Sequence, residues 1–407
     1  MSSYKYNETK LPTAPNGDRV KQVEEFLSEN YEIKVNVFDP SRTFIIDKKN
    51  SQQEPSLDHI SLEMERYGIR GCDGILKKIL RSGYNITAFN PITDYLKALD
   101  GKWQGESHID KLCSHLVARD FGDKPEGYYQ DRMKRIIKKW LAASVACSLG
   151  IRQNDAMLGF IHADEGIGKT FLFEFLTPGP LKSYYVKSSK DPRIFNMTLA
   201  FTKNFIVNFD ECVGITNSTA DELKSTLSSN QIVTSSTFTR QIPRYGNGAF
   251  TSNRTKELGG FLSEKMGYRR FAAIELEEID QVYSREVDVD QLWAEAYVLF
   301  KNSDFGYEWN MDDFKEFKTY NTRYLIETSA HKLVKELYRI PEADEECENK
   351  QPMEILRDLR HARKIPASMN ISESDIGRAL IRIGFARKSK RIGTVPRYGY
   401  EVIPLFV

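Results

Sequence analysis

His162-Ala-Asp-Glu-Gly-Ile-Gly-Lys-Thr170 decides how this chain is read. The apolar run Met157-Leu-Gly-Phe-Ile161 before it has the character of a buried strand, and Phe171-Leu-Phe-Glu-Phe-Leu176 after it suits the start of a helix. Strand, glycine-containing turn, Gly-Lys-Thr and helix is the layout of a phosphate-binding loop. Gly166 and Gly168 allow a tight turn with N–H groups pointing inward, and the helix N-terminus adds partial positive charge. The spacing predicts that Ala163, Asp164, Glu165, Gly166, Ile167, Gly168, Lys169, Thr170 and Phe171 cradle ATP. Lys169 reaches the β- and γ-phosphates in this reading, and the Thr170 hydroxyl ligates Mg²⁺.

About 40 residues further on, Asn204-Phe-Ile-Val-Asn-Phe-Asp210-Glu211 reads as an apolar strand ending in two carboxylates. Asp210 at a strand tip suits a Mg²⁺ ligand, and Glu211 beside it suits orienting an attacking water. An Asp-Glu pair is also a common solvated strand end. Its distance behind a phosphate loop favours the catalytic reading and makes ATP hydrolysis the expected activity.

At 407 residues the chain exceeds what one core usually organises. Hydrophobic residues make up 40% and charged residues 28%, with a net charge of +1. The near-zero balance carries no global signature for nucleic acid, so any such site is local. Five scattered cysteines without Cys-x-x-Cys spacing argue for reduced thiols and against a zinc module. His108, Cys113 and His115 lie close together without a fourth ligand, which favours helix packing over metal. The polar start, Met1-Ser-Ser-Tyr-Lys-Tyr-Asn7, has no apolar core, and the longest apolar stretch, 140–151, is too short for a bilayer. A cytoplasmic protein without a membrane partner is expected.

The expected organisation is a flexible tail over 1–17, a small α/β module over 18–88, a helical collar over 89–152, an α/β core over 153–285, a helical segment and charged linker over 286–345, and a basic domain over 346–407. In the small module, Tyr31 to Phe38 alternates with period two and returns as Arg42 to Ile46, a hairpin; helices follow near 57–67 and 72–82. Residues 91–150 read as helical throughout, with Arg132-Met-Lys-Arg-Ile-Ile-Lys-Lys139 a basic helix and more plausibly a solvated face than a DNA contact. Strands at 157–161, 204–209, 248–252 and 270–276 alternate with helices at 169–176 and 219–228, which calls for a mainly parallel layered sheet. Residues 353–363 and 372–383 read as helices, and 385–390 and 398–405 as strands, a winged-helix-like order. From Arg378 to Arg397 stand seven basic residues and no acidic one, among them Arg387, Lys388, Lys390 and Arg391, which suits contact with a nucleic-acid backbone.

The order and spacing of the central motifs resemble the superfamily 3 helicases, a branch of the AAA+ ATPases of viruses, phages and plasmids, and within it the virulence-associated protein E family of phage and genomic-island ATPases. The likeness rests on Asn90-Pro-Ile-Thr-Asp-Tyr-Leu96, Trp103-Gln-Gly105, His108-Ile-Asp-Lys-Leu112, the phosphate loop, Asn208-Phe-Asp-Glu211, Phe250-Thr-Ser-Asn253 and Gly267-Tyr-Arg-Arg-Phe271. It implies an AAA+-type P-loop ATPase core, a hexameric ring acting as a DNA helicase, and possible replication or excision proteins of a mobile element as partners. It further implies that Asn253 senses the γ-phosphate and the lytic water. Arg270, in preference to Arg269, is the implied arginine finger reaching a neighbouring subunit's ATP, with a surface salt bridge as the alternative.

Between the Asp-Glu pair and Asn253 the superfamily places a hairpin that grips single-stranded DNA. The matching stretch runs from Ile232 to Gly246, where Arg240 and Arg244 would meet phosphate and Phe238 or Tyr245 would stack on a base. The chain departs from the family at Ala163, where a glycine is usual, and at Glu165, where glutamine is frequent. The segment before residue 90 is short for the primase that some relatives fuse there and lacks a clear Asp-x-Asp metal pair on a strand, so priming is not expected. The same site chemistry would serve an ATP-regulated DNA-binding initiator or assembly switch that never unwinds duplex DNA. A metabolic kinase is disfavoured by the Asn253 strand, the Arg-Arg-Phe element and the basic tail.

Overall fold

Period-two alternation at the start of the chain builds a small three-stranded sheet. In the computed structural model, which describes residues 17–38, 44–48, 55–82, 87–191, 194–213, 215–235, 239–342, 345–361, 370–392 and 395–405, α1 (Gly17–Asn30) leads into β1 (Tyr31–Asn36) and β2 (Phe44–Asp47), paired antiparallel. Then come α2 (Leu57–Arg66), α3 (Asp73–Ser82) and β3 (Thr87–Phe89), the last lying parallel to β1. Val23, Phe26, Leu27, Ile60, Leu76 and Leu80 form the core of this module.

Asn90 caps α4 (Pro91–Ala98) by accepting the N–H groups of Ile92 and Thr93, with Pro91 in the first turn where no N–H is needed. After α5 (His108–Ser114), the expectation of helix throughout residues 91–150 gives way to a short strand, β4 (Leu116–Ala118). It pairs antiparallel with the edge of the central sheet, and that tertiary pairing outweighs local helical pattern. Next comes α6 (Tyr128–Ser148), whose basic stretch is a solvated face only in part, with Arg135 exposed. Arg132 and Lys139 are buried, and the helix's cations pair with acids: Arg132 with Glu316, Arg135 with Asp313 and Glu316, Lys138 with Asp110, Lys139 with Asp313.

The central sheet follows: β5 (Met157–Ile161), α7 (Lys169–Leu176), β6 (Tyr185–Lys187), α8 (Met197–Lys203), β7 (Ile206–Phe209), α9 (Ala220–Leu227), a separate antiparallel pair β8 (Gln231–Ser235) and β9 (Thr239–Pro243), then β10 (Asn247–Ser252) and β11 (Phe271–Ile279). Its order is β4-β11-β5-β10-β7-β6, with every pair parallel except β4 with β11. Helices cover both faces of such a sheet, so its strands are continuous apolar runs, and every residue of β5, β7 and β10 is buried. Gly159 is required by packing: a Cβ there would lie 1.9 Å from the Phe250 ring of the neighbouring strand. Short helix α10 (Tyr283–Glu286), α11 (Val289–Lys301) and α12 (Met311–Asn321) follow.

The chain divides into two units. The first comprises Met1–Asn253 and Lys265–Tyr320, the second Arg254–Glu264 and Asn321–Val407. The second holds α13 (Ser329–Leu337), β12 (Tyr338–Arg339), β13 (Glu348–Lys350), α14 (Pro352–His361), α15 (Glu373–Ile383), β14 (Arg387–Ile392) and β15 (Val395–Pro404). Strand β15 pairs antiparallel with β12, β13 and β14. A capping box between Ser372 and Asp375 starts α15, and Ile355, Leu359, Ile376, Leu380, Phe385 and Val402 fill the core. Among the described residues no helix is long and apolar enough to cross a membrane.

Candidate functional site

Parallel strands deliver their carboxyl ends to one edge of a sheet, where ligands of α/β folds bind. The phosphate loop leaves β5 at that edge. Gly166 and Gly168 take φ of +78° and +99°, the left-handed region open to glycine. Gly168 is the N-cap of α7 and offers no side chain to the first helical N–H groups, which are left to a ligand. A Cβ at 168 would displace the flexible end of the Gln281 side chain, whose Nε2 would stand 2.2 Å away and which donates to the Ile167 carbonyl at 2.8 Å. Ala163, Asp164, Glu165 and Gly166 are exposed along the loop, Ile167 is partly so, and Phe171 is exposed on the first turn of α7.

Lys169 is buried, and its Nζ donates to the carbonyls of His162 at 3.1 Å and Asp164 at 2.7 Å. Burial holds its pKa below the ordinary lysine value, against the opposing pull of Glu211, Asp164, Glu165 and Asp210. Thr170 Oγ1 donates to Asp210 Oδ1 at 2.5 Å, so the loop hydroxyl and the tip of β7 meet directly. Glu211 follows as an exposed carboxylate. Asn253, at the end of β10, donates through Nδ2 to Glu165 Oε1 at 3.3 Å, which brings the amide against the phosphate loop. Lys169, Thr170, Asp210, Glu211 and Asn253 therefore share one edge. Thr170 and Asp210 offer hard oxygen ligands, the donor set that Mg²⁺ takes together with water and phosphate.

Arg270 does not join them. It precedes β11, and Phe271 is level with Met157, the first residue of β5, whereas Glu275 is level with Ile161. Five strand residues at ~3.3 Å each put it about 16 Å from the loop edge. Its guanidinium donates to Ser228 Oγ at 2.8 Å, and burial together with neighbouring Arg269 lowers its pKa from the ordinary arginine value. Exposed Arg269 lies over the Phe314 ring at 5.7 Å.

The expected DNA contacts divide. The pairing of β8 with β9 gives the hairpin, with Arg240 opposite Thr234; Phe238 and the Arg240 side chain lie outside the described residues. Arg244 requires correction. It is buried, and its guanidinium donates to the carbonyls of Gly246, Thr226, Leu227 and Asn154, which leaves it no face for phosphate. Tyr245 is half-buried and packs edge-on against Phe38 at 4.6 Å, so its ring is likewise occupied. On β14, Arg387 is exposed over the Tyr398 ring at 5.3 Å, and Lys388 pairs with Glu401 at 2.9 Å. The side chains of Lys390 and Arg391 lie outside the described residues. Two residues at the loop edge escaped sequence reasoning. Thr251 had a signal, because residues 251 and 253 share one face of a strand; Gln281, in the turn after β11, had none.

The chain is similar to the apo structure of NrS-1 C terminal region (305–718), at 11% identity over 95% of this chain and 99% of that one, with a TM-score of 0.46. It is also similar to the X-ray structure of JCV helicase, at 11% identity over 66% and 80%, with a TM-score of 0.31. No curated protein matches. The model of the virulence-associated protein E-like domain matches residues 96–325, more than half of the chain. The chain belongs to the virulence-associated protein E-like family.

Proposed function

We propose that the protein is a Mg²⁺-dependent ATPase of the superfamily 3, AAA+ type that works as a hexameric ring on single-stranded DNA, in replication or excision of a mobile element. The observation that carries this reading is the meeting of Thr170 with Asp210 beside Lys169, under a helix N-terminus without a side-chain cap. In this proposal residues 153–285 form the motor, 89–152 the collar, and 346–407 a winged-helix-like domain that meets duplex DNA through Arg387 and its neighbours.

The loop N–H groups bind the phosphates of ATP, and Lys169 exchanges its two carbonyl partners for phosphate oxygens. Thr170 and Asp210 would hold Mg²⁺, which when bound neutralises phosphate charge and orients the β- and γ-oxygens. Glu211 orients and polarises the attacking water, and Asn253 hydrogen-bonds water or γ-phosphate without neutralising that glutamate. Arg270, remote from its own subunit's loop, acts on the neighbour's γ-phosphate, a contribution of the order of 10³–10⁵ in rate.

Lys169→Ala should abolish ATP binding and turnover, while Arg270→Ala should keep ATP affinity and lose turnover. Mixing the two variants should restore part of the rate through mixed interfaces. Full turnover by Lys169→Ala would overturn the proposal. The second reading, an ATP-regulated DNA-bound initiator that does not unwind, is favoured by the internal commitment of Arg244, which removes one of two expected pore cations. Stimulation of hydrolysis by single-stranded DNA together with strand displacement decides for the helicase; duplex binding without either decides for the initiator.

A further inference from the structure

The residue after Asp210 is strained. Glu211 has φ of 50° and ψ of 30°, and Cys212 has φ of 56°. Two successive side-chain-bearing residues in the left-handed region persist only where the surroundings hold them. The turn is closed by the Val213 N–H on the Asp210 carbonyl at 2.9 Å, and one residue of the neighbouring strand binds all three of its residues. Thr251 is 1% exposed on β10. Its hydroxyl donates to Asp210 Oδ1 at 2.7 Å and accepts the N–H of Glu211 at 2.9 Å, and its carbonyl receives the Cys212 thiol at 3.4 Å. Three consecutive residues are thus tied to Thr251, two of them through one oxygen.

We propose that Thr251 is a positioning residue for ATP hydrolysis, holding Asp210 and the left-handed Glu211–Cys212 turn so that both carboxylates face the nucleotide. The inference rests on the ATPase reading of this site. A hydroxyl is suited to the task because it donates to the carboxylate and accepts from the amide at once. Thr251 is buried and its hydroxyl is committed to Asp210 and Glu211, so its loss acts through the placement of Glu211 and its water more than through the binding of ATP. Misplacement of a reacting group by about 1 Å costs on the order of 10²-fold in rate.

The test compares Thr251→Val, which keeps shape and removes the hydroxyl, with Thr251→Ser, which keeps the hydroxyl, in the full chain. For valine, kcat for ATP should fall about 10- to 100-fold with KM within about threefold of wild type; serine should stay within about threefold on both. Valine with kcat within twofold of wild type, or serine as impaired as valine, overturns the inference. If valine fails to give a cooperative melting transition, Thr251→Ala takes its place with the same expected split against serine. Lys169→Ala run alongside separates the two levels. If that variant still turns over ATP, the site reading fails; if it is inactive while Thr251→Val is fully active, only the role of Thr251 fails.

Discussion

Replacing Arg244 by methionine should destabilise the first unit without touching a DNA contact. The guanidinium donates to the last carbonyls of α9, Thr226 at 3.2 Å and Leu227 at 2.6 Å, to Asn154 at 2.9 Å and to Gly246 at 3.1 Å, while lying over the Phe201 ring at 5.1 Å. Each buried acceptor left without a donor costs ~1 kcal/mol or more, so four give about 4 kcal/mol. Burial lowers the Arg244 pKa from its ordinary value, so the charge itself is disfavoured there and its removal offsets part of that loss. The net loss is about 2–3 kcal/mol. With a urea m-value of about 3 kcal/mol/M, the midpoint should fall by up to about 1 M. All four tryptophans, Trp103, Trp140, Trp293 and Trp309, belong to the first unit, so selectively excited tryptophan fluorescence reads its unfolding alone. An unchanged midpoint, combined with a tenfold loss of affinity for single-stranded DNA, would refute this account and return Arg244 to the DNA surface.

Three further outcomes are expected. Gly168→Ala should weaken ATP binding strongly, because it strains a φ of +99° and displaces the Gln281 amide from the Ile167 carbonyl; Gly166→Ala, strained at +78° but in open space, should weaken binding less, as titration with a fluorescent ATP analogue will show. Asp313→Ala strands buried Lys139, its partner at 2.6 Å, and should cost ~3–5 kcal/mol by urea unfolding. In the second unit, hydrogen bonds from the Arg339 guanidinium and the Glu342 N–H pull the Glu345 carboxyl down to about 2. A depressed acid contributes stability above its unfolded pKa and loses it as pH falls toward the folded value. An NMR titration should therefore place the Glu345 midpoint near 2, and Arg339→Met should return it to the ordinary glutamate range; an ordinary midpoint in the wild type would contradict the pairing.

How far the sequence could be read depended on how local the determinants were. The phosphate loop is local: strand, glycines, lysine and helix are contiguous, and the expected bounds of β5 and α7 agree with the observed ones. The parallel character of the sheet followed from strands alternating with helices. Strand β4 carries no such signal, because three residues cannot show a period and their conformation is fixed by the free edge of β11. Arg244 was misread for a related reason. A cation beside a β-branched stretch looks like a surface residue until tertiary structure supplies buried carbonyls for it, and the acids that pair with the cations of α6 come largely from α12, far along the chain.

Strand direction explains why some candidate residues meet and one does not. In a parallel sheet all carboxyl ends lie on one edge, so Thr170 after β5, Asp210 after β7 and Asn253 after β10 are brought together by topology, however far apart they stand in the chain. The same rule sends Arg270, which precedes a strand of that sheet, to the opposite edge, about 16 Å away at ~3.3 Å per residue. An arginine side chain does not span that distance. If Arg270 serves hydrolysis at all, it therefore serves a nucleotide held by another copy, with the loop edge of one subunit facing the opposite edge of the next. Such a head-to-tail contact is heterologous and closes only as a ring. On this geometry the ATPase and ring proposals stand together: a lone subunit that hydrolysed ATP at the full rate, with Arg270 still essential, would contradict the direction of β11 itself.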